Sequence, residues 1–129
     1  NALSLKYLLP MGAHDIDQMD GDLQVRFSTA NDTFLPFGET ELEVMPENEL
    51  VYVVGTHVRT RRWIWRQSEI GKITSNSSNV IFPIDGFVDV NKDAVLNARE
   101  ELAGLCKNVL CCREVHIGFV DKENMEFCI

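Results

Sequence analysis

Apolar residues recur at every second position, or in short unbroken runs, along most of this chain, and at helical spacing over one long stretch only. That imbalance restricts it to a sheet-based fold with few helices. Leu23, Val25 and Phe27 alternate with Gln24, Arg26 and Ser28, predicting a half-buried strand with the three apolar side chains inward. Leu42 and Val44 alternate with Glu41 and Glu43 in a shorter strand. The continuous apolar run from Leu50 to Gly55 predicts a second strand, followed by a basic strand from about 57 to 66. Val80 to Ile84 reads as a further strand, and Val115, Ile117 and Phe119 as a last one. Asn31-Asp32, Pro36-Phe-Gly38 and Asp85-Gly86 supply turns. Val95, Ala98, Leu102, Leu105 and Val109, at spacings of three and four, predict an amphipathic helix capped by Asn91 with Asp93 in its first turn. Leu3, Leu5, Leu8 and Leu9 before Pro10 and Gly12 read as the end of a helix that starts upstream. These elements make an α+β chain, expected as a single domain over residues 1–129 and large enough to bury a core.

Charge is distributed unevenly. The chain carries a formal net charge of -8, yet five positive side chains stand against Glu69 alone between Arg59 and Lys72, making that segment +4 and the remainder -12. Both tryptophans lie there. In a strand Trp63 and Trp65 share one face, with Arg62, Ile64 and Arg66 on the other. The guanidinium fork suits phosphate or carboxylate and the indole suits a nucleobase, so the strand is a candidate anion or RNA-end site. The same residues also suit a structural strand in which arginines stack on rings and pair with acids. A pI near 4.8 argues against indiscriminate nucleic-acid binding and against DNA as a partner. No apolar run approaches the roughly 20 residues of a membrane span and no signal-peptide core is present, which points to the cytosol and to no membrane partner.

Candidate chemistry is sparse. No glycine-rich phosphate loop, G-x-S-x-G elbow or H-E-x-x-H motif occurs, so no cofactor or metal is expected. The aspartates from Asp15 to Asp22 resemble a calcium loop, but Gly21 falls one place late and Arg26 stands where a terminal glutamate belongs. Cys106, Cys111, Cys112 and Cys128 lack zinc spacing and are expected as reduced, mostly buried thiols. His14 and Asp15, adjacent in an extended segment, point apart and read as a solvated or capping pair. His57 and His116 read as polar residues on strand faces.

Two segments carry a resemblance. Asn1-Ala-Leu-Ser-Leu-Lys-Tyr-Leu-Leu-Pro-Met-Gly-Ala-His-Asp-Ile-Asp-Gln-Met-Asp-Gly-Asp22 resembles the opening of the editing domain, the tandem B-three/B-four domain, of the phenylalanyl-tRNA synthetase beta subunit. Arg61-Arg-Trp-Ile-Trp-Arg-Gln67, followed by Lys72-Ile-Thr74 and Val80-Ile-Phe82, is similar to the signature of free-standing proteins built on that domain. The resemblance covers nearly the whole chain and implies a mixed, mainly antiparallel β-sheet with flanking helices. It further implies a pocket for tRNA, or the 3′ end of aminoacyl-tRNA with its amino acid, and hydrolysis of misacylated esters as a second sieve. Because free-standing members are longer at the N-terminus, the chain is expected to lack that part.

Matched position by position, Asn1 falls on the family's helix-start asparagine, and Gly12 stands where the synthetase has a pocket histidine, with His14 two places on. Asp85 is the acid nearest the expected hydroxyl-reading position, close to Pro83. The implied substrate site comprises Asn1, Gly12, His14, Arg61, Arg62, Trp63, Trp65, Arg66, Thr74, Ser77 and Asn79, with Asn1, Thr74 and Asp85 as the catalytic candidates. Three readings follow: a deacylase acting in trans through a positioned water, a non-catalytic module that binds an amino acid or an RNA end, and an interaction domain in which the Arg-Trp strand is a folding element.

Overall fold

The computed structural model of the chain describes residues 1–128. In chain order the elements are α1 (Ala2–Tyr7), β1 (His14–Asp15), a 3-10 turn (Ile16–Gln18), β2 (Leu23–Phe27), β3 (Thr33–Phe34), β4 (Glu43–Val44), β5 (Leu50–Val54), β6 (His57–Arg61), β7 (Arg66–Gln67), β8 (Val80–Ile81) and α2 (Val88–Asn108). They form two compact units, a sheet unit from Gly12 to Pro83 and a helical unit made of Asn1–Met11 with the chain from Ile84 onward.

The sheet unit holds a six-stranded sheet in the order β2-β5-β6-β3-β4, with β7 added on β6, and a separate two-stranded ladder of β1 with β8. Only the β3·β6 pairing is parallel, so the fold is α+β with a mixed, mainly antiparallel sheet. The apolar run explains why β5 lies inside the sheet. Val51, Tyr52, Val53 and Val54 are all buried, and Val51 and Val53 pack with Phe34, Met45 and Val58 as the core on one face.

Several sequence expectations fail in this unit for identifiable reasons. β2 is an edge strand, and its supposed inward residues Val25 and Phe27 are 54% and 63% exposed, because the neighbouring β5 already fills the core. On β4 the faces are reversed. Val44 is 94% exposed and Leu42 is exposed, while Glu43 turns toward two guanidinium groups.

The basic strand expected to run to residue 66 stops at Arg61. Arg62 and Trp63 take left-handed backbone conformations, with φ of 49° and 65°, and the chain reverses so that Arg66 pairs with Arg61. Trp63 and Trp65 therefore sit in a hairpin loop rather than side by side on a strand face. Two acids enforce the reversal. Glu49 accepts from Arg61 Nε at 2.9 Å and Nη2 at 3.0 Å and also from the Arg62 backbone N–H at 2.6 Å. Glu43 accepts from Arg61 Nη1 at 2.9 Å and from Arg66 Nη1 and Nη2 at 3.0 Å. Both guanidiniums also lie on the Phe34 ring, 5.7 Å and 5.4 Å from its centroid. Hydrogen bonds from Arg66 hold the Glu43 carboxyl below the usual range, and those from Arg61 do the same for Glu49.

In the helical unit, Lys6 Nζ and Tyr7 Oη both donate to Glu101, tying α1 to α2. α2 is broken at Asn91, whose φ and ψ of -138° and 27° are non-helical, so a short turn from Val88 precedes the long helix that runs on from Asn91 as expected. The Asn91 Oδ1 accepts from the Phe87 N–H at 2.7 Å, closing that first turn rather than capping the longer part of α2. Its buried residues are Ala98, Ala103 and Cys106, whereas Leu105 and Val109 of the expected stripe are exposed. Cys106 is the one buried thiol among the described residues; Cys111, Cys112 and Cys128 are exposed. The strand expected at 115–119 does not form. The Gly118 carbonyl accepts from Arg99 and the Phe119 carbonyl from Asn124, so side chains occupy groups a ladder would need. No described helix is long and apolar enough to cross a membrane.

The clamp at Glu49 makes a prediction for stability. Arg61 is 7% exposed, so Glu49→Ala leaves a nearly buried guanidinium short of its main partner and should cost about 2–3 kcal/mol in urea unfolding. Combining it with Arg61→Met should recover part of that loss, because the uncompensated charge is then gone.

Candidate functional site

A register irregularity between β5 and β6 creates the most unusual environment in the sheet unit. Tyr52 pairs with Thr60 and Val53 with Val58, which leaves Arg59 as the extra residue of a bulge. Its side chain is 2% exposed. Nη2 donates to the Gln18 carbonyl at 3.0 Å, but Nε and Nη1 are buried without a hydrogen-bond partner among the described residues. Gly71, at φ +81°, lets the backbone pass beside this guanidinium, since a Cβ there would stand 3.3 Å from Nη1. Burial lowers the proton affinity of Arg59, with Asp20 acting in the opposite sense; an arginine stays charged under such conditions.

His14, fully buried on β1, lies close by with its ring centroid 5.8 Å from that of Tyr52. Neither ring nitrogen has a partner among the described residues. Burial, with the Arg59 charge adding to it, pulls its pKa down to about 4, so the imidazole is neutral at pH 7. His14 is thus a core residue, not the solvated or capping one expected. A Cβ at Gly12 would lie 3.7 Å from His14 Nε2, so an imidazole occupies space beside the glycine although it comes from two residues further on.

Asp15 organises the surroundings. Its backbone N–H donates to the Gly71 carbonyl at 2.9 Å, its Oδ1 caps the 3-10 turn at the Asp17 N–H, and its Oδ2 accepts from Ser77 Oγ at 2.7 Å. Asn79 Nδ2 donates to Asp17 Oδ1 at 2.8 Å, and the Thr74 N–H donates to Ser77 Oγ at 3.0 Å. The polar loop is strapped to the acidic turn by these bonds. Next to them opens a hollow of about 400 Å³ lined by Asp17, Gln18, Met19, Asp20, His57, Arg59 and Ile70. His57 Nδ1 lies 3.4 Å from Thr33 Oγ1, whose hydroxyl is 3.5 Å from the Thr56 carbonyl. A hydroxyl that donates to that carbonyl accepts from Nδ1–H, leaving Nε2 as the basic nitrogen.

The structure therefore gathers His14, Thr74, Ser77 and Asn79 around the Asp15–Asp17 segment, with Gly12 beside His14. Arg61 and Arg66 are held elsewhere by Glu43 and Glu49, while Arg62, Trp63 and Trp65 form the hairpin loop. Asn1 and Asp85 belong to the helical unit, where the Asn1 carbonyl accepts from Leu5 N–H and the Asp85 N–H donates to Pro10. Sequence reasoning missed the hollow-lining group of Asp17, Asp20, His57, Arg59 and Ile70. Arg59 was visible only as one arginine among several, and nothing in its spacing announces the bulge that turns it inward.

A family model described as the B3/4 domain matches residues 1–108. The fold is similar to the crystal structure of an N-terminal fragment of the phenylalanyl-tRNA synthetase beta-subunit from Pyrococcus horikoshii, with a TM-score of 0.58 and 15% identity over 78% of this chain. The match spans 37% of that fragment's length. No curated protein matches the sequence.

The buried histidine sets a pH dependence. The unfolded chain protonates His14 near its ordinary pKa of 6.5 and the folded chain only near 4, so the unfolded state binds more protons between these values. This contribution to stability is complete above about pH 6.5 and is lost as pH falls toward 4, by up to about 3 kcal/mol. Urea midpoints measured across that window should fall less steeply for His14→Gln than for the parent.

Proposed function

Since the chain belongs to the B3/4 domain family, we propose that its sheet unit receives the aminoacyl 3′ end of tRNA and hydrolyses a wrongly attached amino acid, as part of translation quality control in the cytoplasm. The observation that carries this reading is the pairing of opposite charges in one hollow: Arg59, buried with two guanidinium nitrogens unpartnered among the described residues, beside the carboxylates of Asp17 and Asp20. An aminoacyl ester presents a cationic α-ammonium next to a polarisable carbonyl and near a terminal phosphate. The two aspartates suit the ammonium, and the guanidinium suits the carbonyl oxygen as it gains negative charge.

Hydrolysis needs no covalent nucleophile here. Water adds to the ester carbonyl and gives its proton to His57 Nε2, and the tetrahedral oxyanion is stabilised by Arg59; as it collapses the acyl C–O bond to the ribose breaks, and the imidazolium gives the proton to the departing ribose oxygen, which leaves as a hydroxyl. Thr74, Ser77 and Asn79 act through Asp15 and Asp17 as positioning residues. A second reading, a binding module without hydrolysis, is favoured by Gly12 at the family's histidine position and by the buried, neutral state of His14.

Release of labelled amino acid from a panel of mischarged tRNAs tests the choice. Turnover by the parent is expected, with His57→Gln lowering kcat about a hundredfold and changing KM little. Arg59→Met should lower kcat/KM by a similar factor. Binding of mischarged tRNA without turnover would select the module, and neither binding nor turnover would remove both readings.

A further inference from the structure

We propose that the hairpin tip at Arg62–Trp65 is a contact for single-stranded RNA, the Trp65 indole stacking on one unpaired base and the Arg62 guanidinium meeting a neighbouring phosphate. The inference rests on the reading above, that an RNA end enters the sheet unit, and concerns a surface of that unit outside the hollow.

Trp65 is 83% exposed. The tip that displays it is firmly built. Arg62 and Trp63 are held at positive φ without glycine, and three hydrogen bonds stabilise that conformation: Arg62 N–H to Glu49 at 2.6 Å, Trp63 N–H to the Leu50 carbonyl at 3.0 Å, and Thr60 Oγ1 to the Trp63 carbonyl at 2.9 Å. Below the tip the Arg61 and Arg66 braces fix the hairpin stem. The indole is thus carried on a preorganised support, which lowers the ordering cost of stacking.

Charge selects the partner. Arg61, Arg66 and Lys72 are committed to Glu43, Glu49 and Glu69, whereas Arg62 is exposed and makes no ion pair among the described residues. A planar aromatic beside an uncommitted guanidinium matches one base and one phosphate. A protein partner would need roughly 800 Å² of matching surface on this side, whereas the tip is four residues, with Arg62 and Trp65 exposed and Trp63 and Ile64 half-buried between them. The position fits as well. Arg59 in the hollow and Arg62 at the tip are three residues apart in the chain, so their Cα atoms are at most about 10 Å apart. At about 3.4 Å per nucleotide in a stacked strand, an RNA with its 3′ end in the hollow would reach the tip within about three nucleotides.

Anisotropy titrations of the full chain with a fluorescein-labelled single-stranded RNA ending in CCA, at several salt concentrations, decide the matter. Trp65→Ala should weaken binding at least tenfold, and Trp65→Phe should restore most of it. Arg62→Gln should weaken binding and reduce the slope of log affinity against log salt by about one. Urea midpoints should stay at the parent value for all three, separating a contact from a folding role. Unchanged affinity in Trp65→Ala, or no binding by the parent, would overturn the proposal. Because the titration contains no amino acid, it is decided independently of whether the hollow hydrolyses esters: loss of turnover with tip-dependent RNA binding overturns the hollow alone.

Discussion

The Glu49 carboxylate is the constraint on which the sheet unit turns. It meets both the Arg61 guanidinium and the Arg62 backbone N–H, so one acid neutralises a nearly buried charge and also holds the residue at which the chain leaves β6. Without that acceptor the left-handed conformations at Arg62 and Trp63 would lack compensation, and the extended backbone the sequence favours would compete. Glu43 repeats the arrangement from β4, reaching Arg61 and Arg66 together across the Phe34 ring. The arginines that look most like ligand-binding groups in the sequence are therefore internal counter-charges, and β4 has its apolar residues outward so that Glu43 can face them.

A different economy operates at the other end of β6. Arg59 enters the interior at a bulge, donates once to Gln18, and retains two nitrogens, Nε and Nη1, unpartnered among the described residues beside an imidazole in the same condition. Buried polar groups in native proteins are nearly always satisfied, so such a concentration marks a place where the protein has not been optimised for stability alone. The polar loop at 74–79 and the 3-10 turn hold that place open through Asp15 and Asp17, and Gly71 is needed because a side chain there would press on the guanidinium. The hollow and the hairpin tip then lie at opposite ends of one strand, which gives β6 a part in both proposed contacts.

Much of this could be read from the residues. β5 follows from its unbroken apolar run, and the long helix follows from its three-and-four spacing, with one extra turn, closed by the Asn91 Oδ1 on the Phe87 N–H, preceding it. The hydroxyl and amide residues of the loop after Gly71 were legible as a polar cluster, and two of them, Ser77 and Asn79, bond to the Asp15–Asp17 segment, with Thr74 held on Ser77. Illegible were features that depend on a partner distant in sequence. Alternation placed Val25, Phe27 and Val44 inward, but an edge position and the pull of two guanidiniums decided otherwise. At 115–119 the Gly118 and Phe119 carbonyls accept from the Arg99 and Asn124 side chains instead of a ladder partner.

What the sequence determined by itself is the class and the family: short period-two segments, one long helical stripe and the Arg-Trp and Pro-Met motifs encode local conformation and ancestry without reference to distant contacts. Tertiary structure alone decided which charges are spent and which remain available. Arg59, Arg61, Arg62 and Arg66 are equivalent as letters, and their roles diverge because a bulge buries the first, facing carboxylates neutralise the second and fourth, and a hairpin turn leaves the third in solvent. Pairing and burial of a charge depend on what the fold brings within a few ångströms, and that information is not local to the chain.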